Sequence, residues 1–179
     1  MFHFEPLPLD GAFLITLPSF KDNRGVFNKT YQEHFFNAAG IDFQLKESYF
    51  SLSKKNVIRG MHFQTPPHQH SKIVYCPSGS ILDVILDLRK HSATYGQFYS
   101  TVLSDENSKA YFIPEGFAHG FKALTENAMT YYLVGSEHDK NHDAGVLYNS
   151  FGMNWDCIHP IISERDNSFP GLNSFESPF

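Results

Sequence analysis

Alternation constrains this chain more than any other feature. From Ile81 to Leu88, Leu82, Val84, Leu86 and Leu88 fall on one face of an extended segment, and Ile81, Asp83, Ile85 and Asp87 fall on the other, because successive side chains of a strand point to opposite sides. One face reads as packed core. The other mixes apolar groups with carboxylates, as the interior of a ligand-holding barrel would. Shorter extended runs recur at 12–17, 72–76, 97–103, 109–113, 128–134 and 145–148, with turn-forming residues at 77–79, 105–107 and 114–116. Many short strands with turns between them predict an all-β sandwich or barrel. One helix is expected, Tyr31 to Ala39, stopped by Gly40.

At 179 residues the chain fits one domain, 1–179, and 18 Phe supply material for a large core. With 18% charged residues and a net charge of −5, neither disorder nor a nucleic-acid surface is expected. An anionic ligand must therefore meet a local cluster of cations rather than a global positive field. No apolar run approaches the ~20 residues of a membrane span, and MFHFEPLPLDGAF lacks the basic and apolar regions of a secretory signal. Cys76 and Cys157 are too few for a disulfide framework. A cytoplasmic protein without membrane contact is expected. There is no GxGxxG or Walker-type loop, no internal repeat and no low-complexity stretch. The tail from Ser168 is expected to pack as irregular structure.

Chemistry concentrates around residue 60. VIRGMHFQTPPHQHSKIV brings Arg59, His62, His68, His70 and Lys72 into fourteen residues. This composition suits an anionic ligand held beside a proton-transfer base. A lone histidine is ordinarily structural, and His3, His34, His91, His142 and His159 are read that way. A second cluster, PEGFAHGF at 114–121, carries a Pro-x-Gly-x-x-His spacing that resembles the second half of the cupin signature. Cupins are jelly-roll proteins whose histidines often bind metal. The first half would be His68-x-His70 followed by Glu, but Val74 and Tyr75 stand at the Glu positions, so no metal site is expected. Proton abstraction beside a ketone uses the same residues better. It needs a base of near-neutral pKa, a cation or donor for the enolate oxygen, and an acid. His62, Lys72 and one of Tyr131 and Tyr132, which alternation sends to opposite faces, answer that description.

The resemblance then becomes specific. DNRGVF at 22–27, IRGMHFQ at 58–64, the run 70–96, LSDENSKAYFIPEGFAHGF at 103–121 and IISERD at 161–166 are similar, in order, to the dTDP-4-dehydrorhamnose 3,5-epimerase family of small cupin-fold enzymes. The resemblance implies a cupin-type jelly roll and a homodimer whose amino-terminal segment reaches the neighbour's site. It implies epimerisation of a nucleotide-diphosphate 4-keto-6-deoxy sugar at carbon 3, carbon 5 or both, with no cofactor; a metal-dependent, dioxygenase-like cupin and a cupin-fold sugar ketoisomerase are the alternatives. By position, His62 would be the base, Asp166 its orienting carboxylate, Lys72 the cation near the enolate and Tyr132 the acid on the opposite side of the sugar. Asp83 and His119 would line the same pocket. Arg24, Arg59 and Arg165, three of only four Arg, fall where the family has cations for the diphosphate, and the fourth, Arg89, reads as part of a surface turn. Phe27 and Asp143 also fall on substrate-binding positions. Lys29, Glu47, Tyr49 and His138 stand where the family usually presents Glu, Gln, Asn and a stacking Tyr at the nucleotide end. A preference for thymidine is therefore not expected.

Overall fold

A computed structural model describes residues 1–179. The strands are β1 His3–Pro6, β2 Phe13–Thr16, β3 Ser19–Asp22, β4 Gly25–Asn28, β5 Glu47–Ser53, β6 Ile58–Gln64, β7 Lys72–Ser78, β8 Ser80–Asp87, β9 Phe98–Ser104, β10 Lys109–Ile113, β11 Phe117–Ala123, β12 Ala128–Val134 and β13 Asp143–Gly145. Two short helices, α1 Glu33–Ala38 and α2 Glu164–Asn167, complete the main elements. A six-stranded antiparallel sheet in the order β1-β2-β10-β7-β12-β5 faces a five-stranded one in the order β13-β6-β11-β8-β9, and β3 and β4 form a separate hairpin. This is the all-β architecture that the alternation predicts and the cupin-type jelly roll that the resemblance implies. No helix is long and apolar enough to cross a membrane.

Both sheets bury both faces, which corrects the expectation of one packed face and one ligand-lined face. Between the sheets lie Leu14, Val74, Tyr111 and Val134 against Ile81, Ile85, Leu103, Phe117 and Phe121. Outside the six-stranded sheet, Ile15, Ile73, Phe112 and Leu133 pack against Phe36 of α1 and the following Ile41 and Phe43. Outside the five-stranded sheet, Val84, Leu86, Leu88 and Phe63 are covered by Val146, Trp155, Phe175 and Phe179 of the carboxy-terminal segment. That segment is mostly irregular, as expected, and Lys122 ties it down by donating to the carbonyls of Trp155 and Asp156.

Some boundaries differ from the sequence expectation. The helix begins at Glu33 rather than Tyr31, because Gln32 is extended (φ −146°, ψ 113°), and it ends before Gly40, whose φ of +78° only glycine adopts readily. The strand expected at 145–148 is β13 instead, paired with β6 through Gly145 and His62. Arg89 is not a free surface charge. It chelates fully buried Asp87 at 2.8 Å and lies over the Phe117 ring. Asp87 also accepts from Ser92 and Thr94, so it closes the 89–94 loop and lines no ligand site.

Candidate active site

β6 breaks strict alternation. Ile58 and Met61, three positions apart, pack in the same outer cluster, and the β6–β11 register shifts between His119 and Phe121. At this step a Cβ on Gly60 would meet the Gly120 backbone at 2.5 Å, and a Cβ on Gly120 would meet the Arg59 carbonyl at 2.8 Å. Two glycines let the strands close. The result sets His62 opposite His119.

His62 Nε2 donates to Asp166 Oδ1 at 2.8 Å. Asp166 also accepts the Gly60 N–H at 3.0 Å, and Ser163 Oγ caps the Asp166 N–H at 3.0 Å. Burial pushes the Asp166 carboxyl up, but the contacts with His62, Gly60 and Ser163 outweigh it and hold the group below 3.8. Asp166 is thus an ionised acceptor. With Nε2 carrying the hydrogen, Nδ1 of neutral His62 is the basic nitrogen.

A cavity of ≈ 330 Å³ opens beside this pair. His62, Lys72 and Asp143 line it, as do Glu47, Tyr49, His138 and Arg165, so seven of the expected site residues share one wall. Lys72 is 6% exposed, and its ammonium donates to the His62 carbonyl at 3.4 Å. Burial pushes it down to about 8, against the opposing pull of Asp143 and Asp83. Arg165 pairs with Asp143 at 2.7 Å and lies over the Phe169 ring, which meets His62 edge-on. Alternation on β12 turns Tyr132 inward and Tyr131 to the outer cluster. Tyr132 stacks on Tyr49 at 4.7 Å and meets His119 edge-on at 5.9 Å. Burial, then Tyr49 and Asp83, push its phenol well above 10, so it stays protonated. His119 Nε2 lies 2.9 Å from Asp83, whose carboxyl burial pushes up. Arg59 donates to Ser53 and shares an adjoining cleft with His62, Arg165 and Asp166.

Tyr132, His119 and Asp83 are buried behind Tyr49 rather than lining the cavity, and three further expected residues lie elsewhere. Arg24, Phe27 and Lys29 belong to the exposed β3–β4 hairpin and its end, where Arg24 is 85% exposed and pairs with Asp22. Gln64 and His70 line the cavity but were not expected there. Two-residue spacing from Lys72 and His62 is the signal that could have found both. The histidines of the cupin spacing separate: His119 goes to Asp83, His70 to Ser136, and His68 to Asp139. The set able to hold a metal ion is His68, Asp139 and His142, with ligand atoms within 4.8 Å of one another.

The family model for dTDP-4-dehydrorhamnose 3,5-epimerase matches residues 6–174. The enzyme of that name from Methanothermobacter thermautotrophicus is 38% identical over 176 residues, covering 96% of this chain and 95% of its own. A crystal structure of the Bacillus anthracis enzyme with TDP and PPi bound superposes with a TM-score of 0.93 at 32% identity, covering 96% of this chain and 100% of that one. The dTDP-6-deoxy-D-glucose-3,5-epimerase of Legionella pneumophila in complex with dTDP-4-keto-L-rhamnose gives 0.94 at 28% identity, covering 98% and 95%. Sequence and architecture agree over nearly the whole length, and the chain belongs to the dTDP-4-dehydrorhamnose 3,5-epimerase family.

Proposed function

We propose that the cavity epimerises a nucleotide-diphosphate 4-keto-6-deoxy sugar at carbon 3, carbon 5 or both. The observation that carries this reading is the His62–Asp166 pair at 2.8 Å beside the buried ammonium of Lys72. The carbon-4 ketone acidifies the neighbouring C–H bonds. Nδ1 of His62 removes the proton, and Asp166 stabilises the imidazolium that results. The negative charge moves to the carbonyl oxygen, where Lys72 neutralises it. Tyr132 then delivers its phenolic proton to the opposite face of the same carbon, and solvent exchange restores both residues. One base, one acid and one cation serve either carbon, since both flank the same ketone. Arg59 and Arg165 are the cations for the diphosphate, and the names of the family relatives support such a substrate.

Arg24 and Phe27 sit on an exposed hairpin away from this chain's cavity. They are best used by a second copy, so the working form is a homodimer in which each hairpin reaches the neighbour's site. A nucleotide-sugar substrate and two free cysteines suit the cytoplasm.

The test is incubation in deuterated water with dTDP-, CDP- and GDP-linked 4-keto-6-deoxy sugars. The parent protein should add one deuterium per inverted carbon, and the dTDP sugar should not be favoured more than about tenfold, a gap of ~1.4 kcal/mol. His62→Ala should lose ~10²–10⁴ in exchange rate. Tyr132→Phe should still exchange, because the enolate collapses back on its original face, yet yield no inverted product. Parental exchange in His62→Ala would remove the histidine from its role.

A further inference from the structure

Five buried side-chain polar atoms have no hydrogen-bond partner, and His70 Nε2 is the one whose residue lines the cavity. His70 precedes Lys72 by two residues, so in extended chain their side chains leave on the same side, and both line the cavity. His70 Nδ1 lies 2.7 Å from Ser136 Oγ and 3.2 Å from Gln64 Nε2. The Gln64 amide cannot turn round: its Oε1 accepts the Asp139 N–H at 2.6 Å, while its Nε2 donates to the His68 carbonyl at 2.8 Å. The Gln64 amide offers a hydrogen to Nδ1, and the Ser136 hydroxyl can do the same; with Nδ1 accepting, the hydrogen of the neutral ring sits on Nε2. Nε2 is buried and hydrogen-bonded to nothing. Burial above all, with the charges of Lys72 and His138, pushes the ring down to about 3. The imidazole is a neutral donor held in place from behind.

We propose that His70 is a further catalytic residue, whose Nε2–H joins the Lys72 ammonium in holding the carbon-4 oxygen as the enolate forms. The inference rests on the epimerase reading of this cavity. A buried N–H without an acceptor is destabilising, and an incoming oxygen with growing negative charge relieves it. A second cation here would suppress the charge on Lys72 further. A neutral donor strengthens its hydrogen bond as the oxyanion develops and adds no positive charge.

Two near-isosteric variants separate the nitrogens. His70→Gln places an amide N–H close to the position of Nε2, whereas His70→Asn keeps a polar group only near Nδ1. With both confirmed folded by thermal unfolding, His70→Gln should stay close to the parental kcat. His70→Asn should lose ~10²–10³ in kcat, as on removal of one oxyanion donor, with KM little changed. Equal kcat in the two variants, or a loss confined to KM, overturns the proposal. An unmodified protein that exchanges no deuterium would instead overturn the epimerase reading beneath it. Long-range ¹H–¹⁵N spectra of the unmodified protein need no variant. They should show His70 as the neutral Nε2–H tautomer from about pH 5 to 8, and an Nδ1–H tautomer or a titration in that range also overturns the proposal.

Discussion

Lys72 shows how one buried residue sets the working range of a site. Its ammonium is nearly sealed from water, and burial brings it down to about 8 although Asp143 and Asp83 pull the other way. In the free enzyme, kcat/KM should therefore fall as pH rises through about 8, since the enolate then meets an uncharged amine. Stability should move the other way. Between the folded value of about 8 and the unfolded value of ~10.4, the unfolded chain holds the extra proton, so Lys72 makes the fold more stable as pH rises. A pH–rate profile recorded beside thermal unfolding distinguishes titration of the site from loss of the fold. In Lys72→Arg, any remaining activity should lack this alkaline limb, because a guanidinium does not deprotonate in proteins. A limb at the same pH in that variant would assign it to another group.

At the scale of elements, the site depends on the glycine contact between β6 and β11. Gly120→Ala would press a methyl group onto the Arg59 carbonyl and the Met61 sulfur. A cost of ~1–3 kcal/mol is expected from such overpacking, with exchange activity reduced because His62 lies two residues beyond Gly60. Chemical denaturation of the variant measures the first and deuterium uptake the second. Unchanged stability would show that the strands can separate at that point without loss. The same contact blurs the strand pattern in the sequence. β6 contains a glycine and loses its alternation there, and β5 is an edge strand whose polar and apolar residues are largely exposed, so neither offers the clear period of β8 or β12. The β3–β4 hairpin is exposed throughout and gives no buried face to detect.

Across the whole molecule, apolar surface remains where nothing in this chain covers it. Phe20, Val26 and Phe27 protrude from the hairpin, and Phe50 and Leu52 from edge strand β5. A groove between the hairpin and the outer face of β7 and β12 is lined by Val26, Tyr75, Met129 and Tyr131. Burial of such a surface against a second copy should give a particle of twice 20.4 kDa, readable by sedimentation equilibrium. If each hairpin serves the neighbouring site, Arg24→Ala and His62→Ala chains, each impaired alone, should regain activity when refolded together, since one of the two mixed sites then holds both residues. No recovery in a confirmed mixed dimer would return Arg24 to its own chain.

The sequence by itself determined the all-β class, the face of β8 that carries Asp83, and that Tyr131 and Tyr132 leave β12 on opposite sides. Their side-chain directions follow from the pleat, which is local to each strand. It also carried the ordered segments by which the family was recognised. Other features depend on residues far apart in the chain. His62 and Asp166 are 104 positions apart and meet only because Ile58 and Ile161 are brought together and α2 is capped beneath the site. His70 meets Ser136 across 66 positions, and Arg24 is absent from the cavity wall because β3 and β4 form a hairpin separate from both sheets. Periodicity reports which way a side chain points. Its partner is chosen by strand register and loop closure, and these are decided only when the two sheets pack.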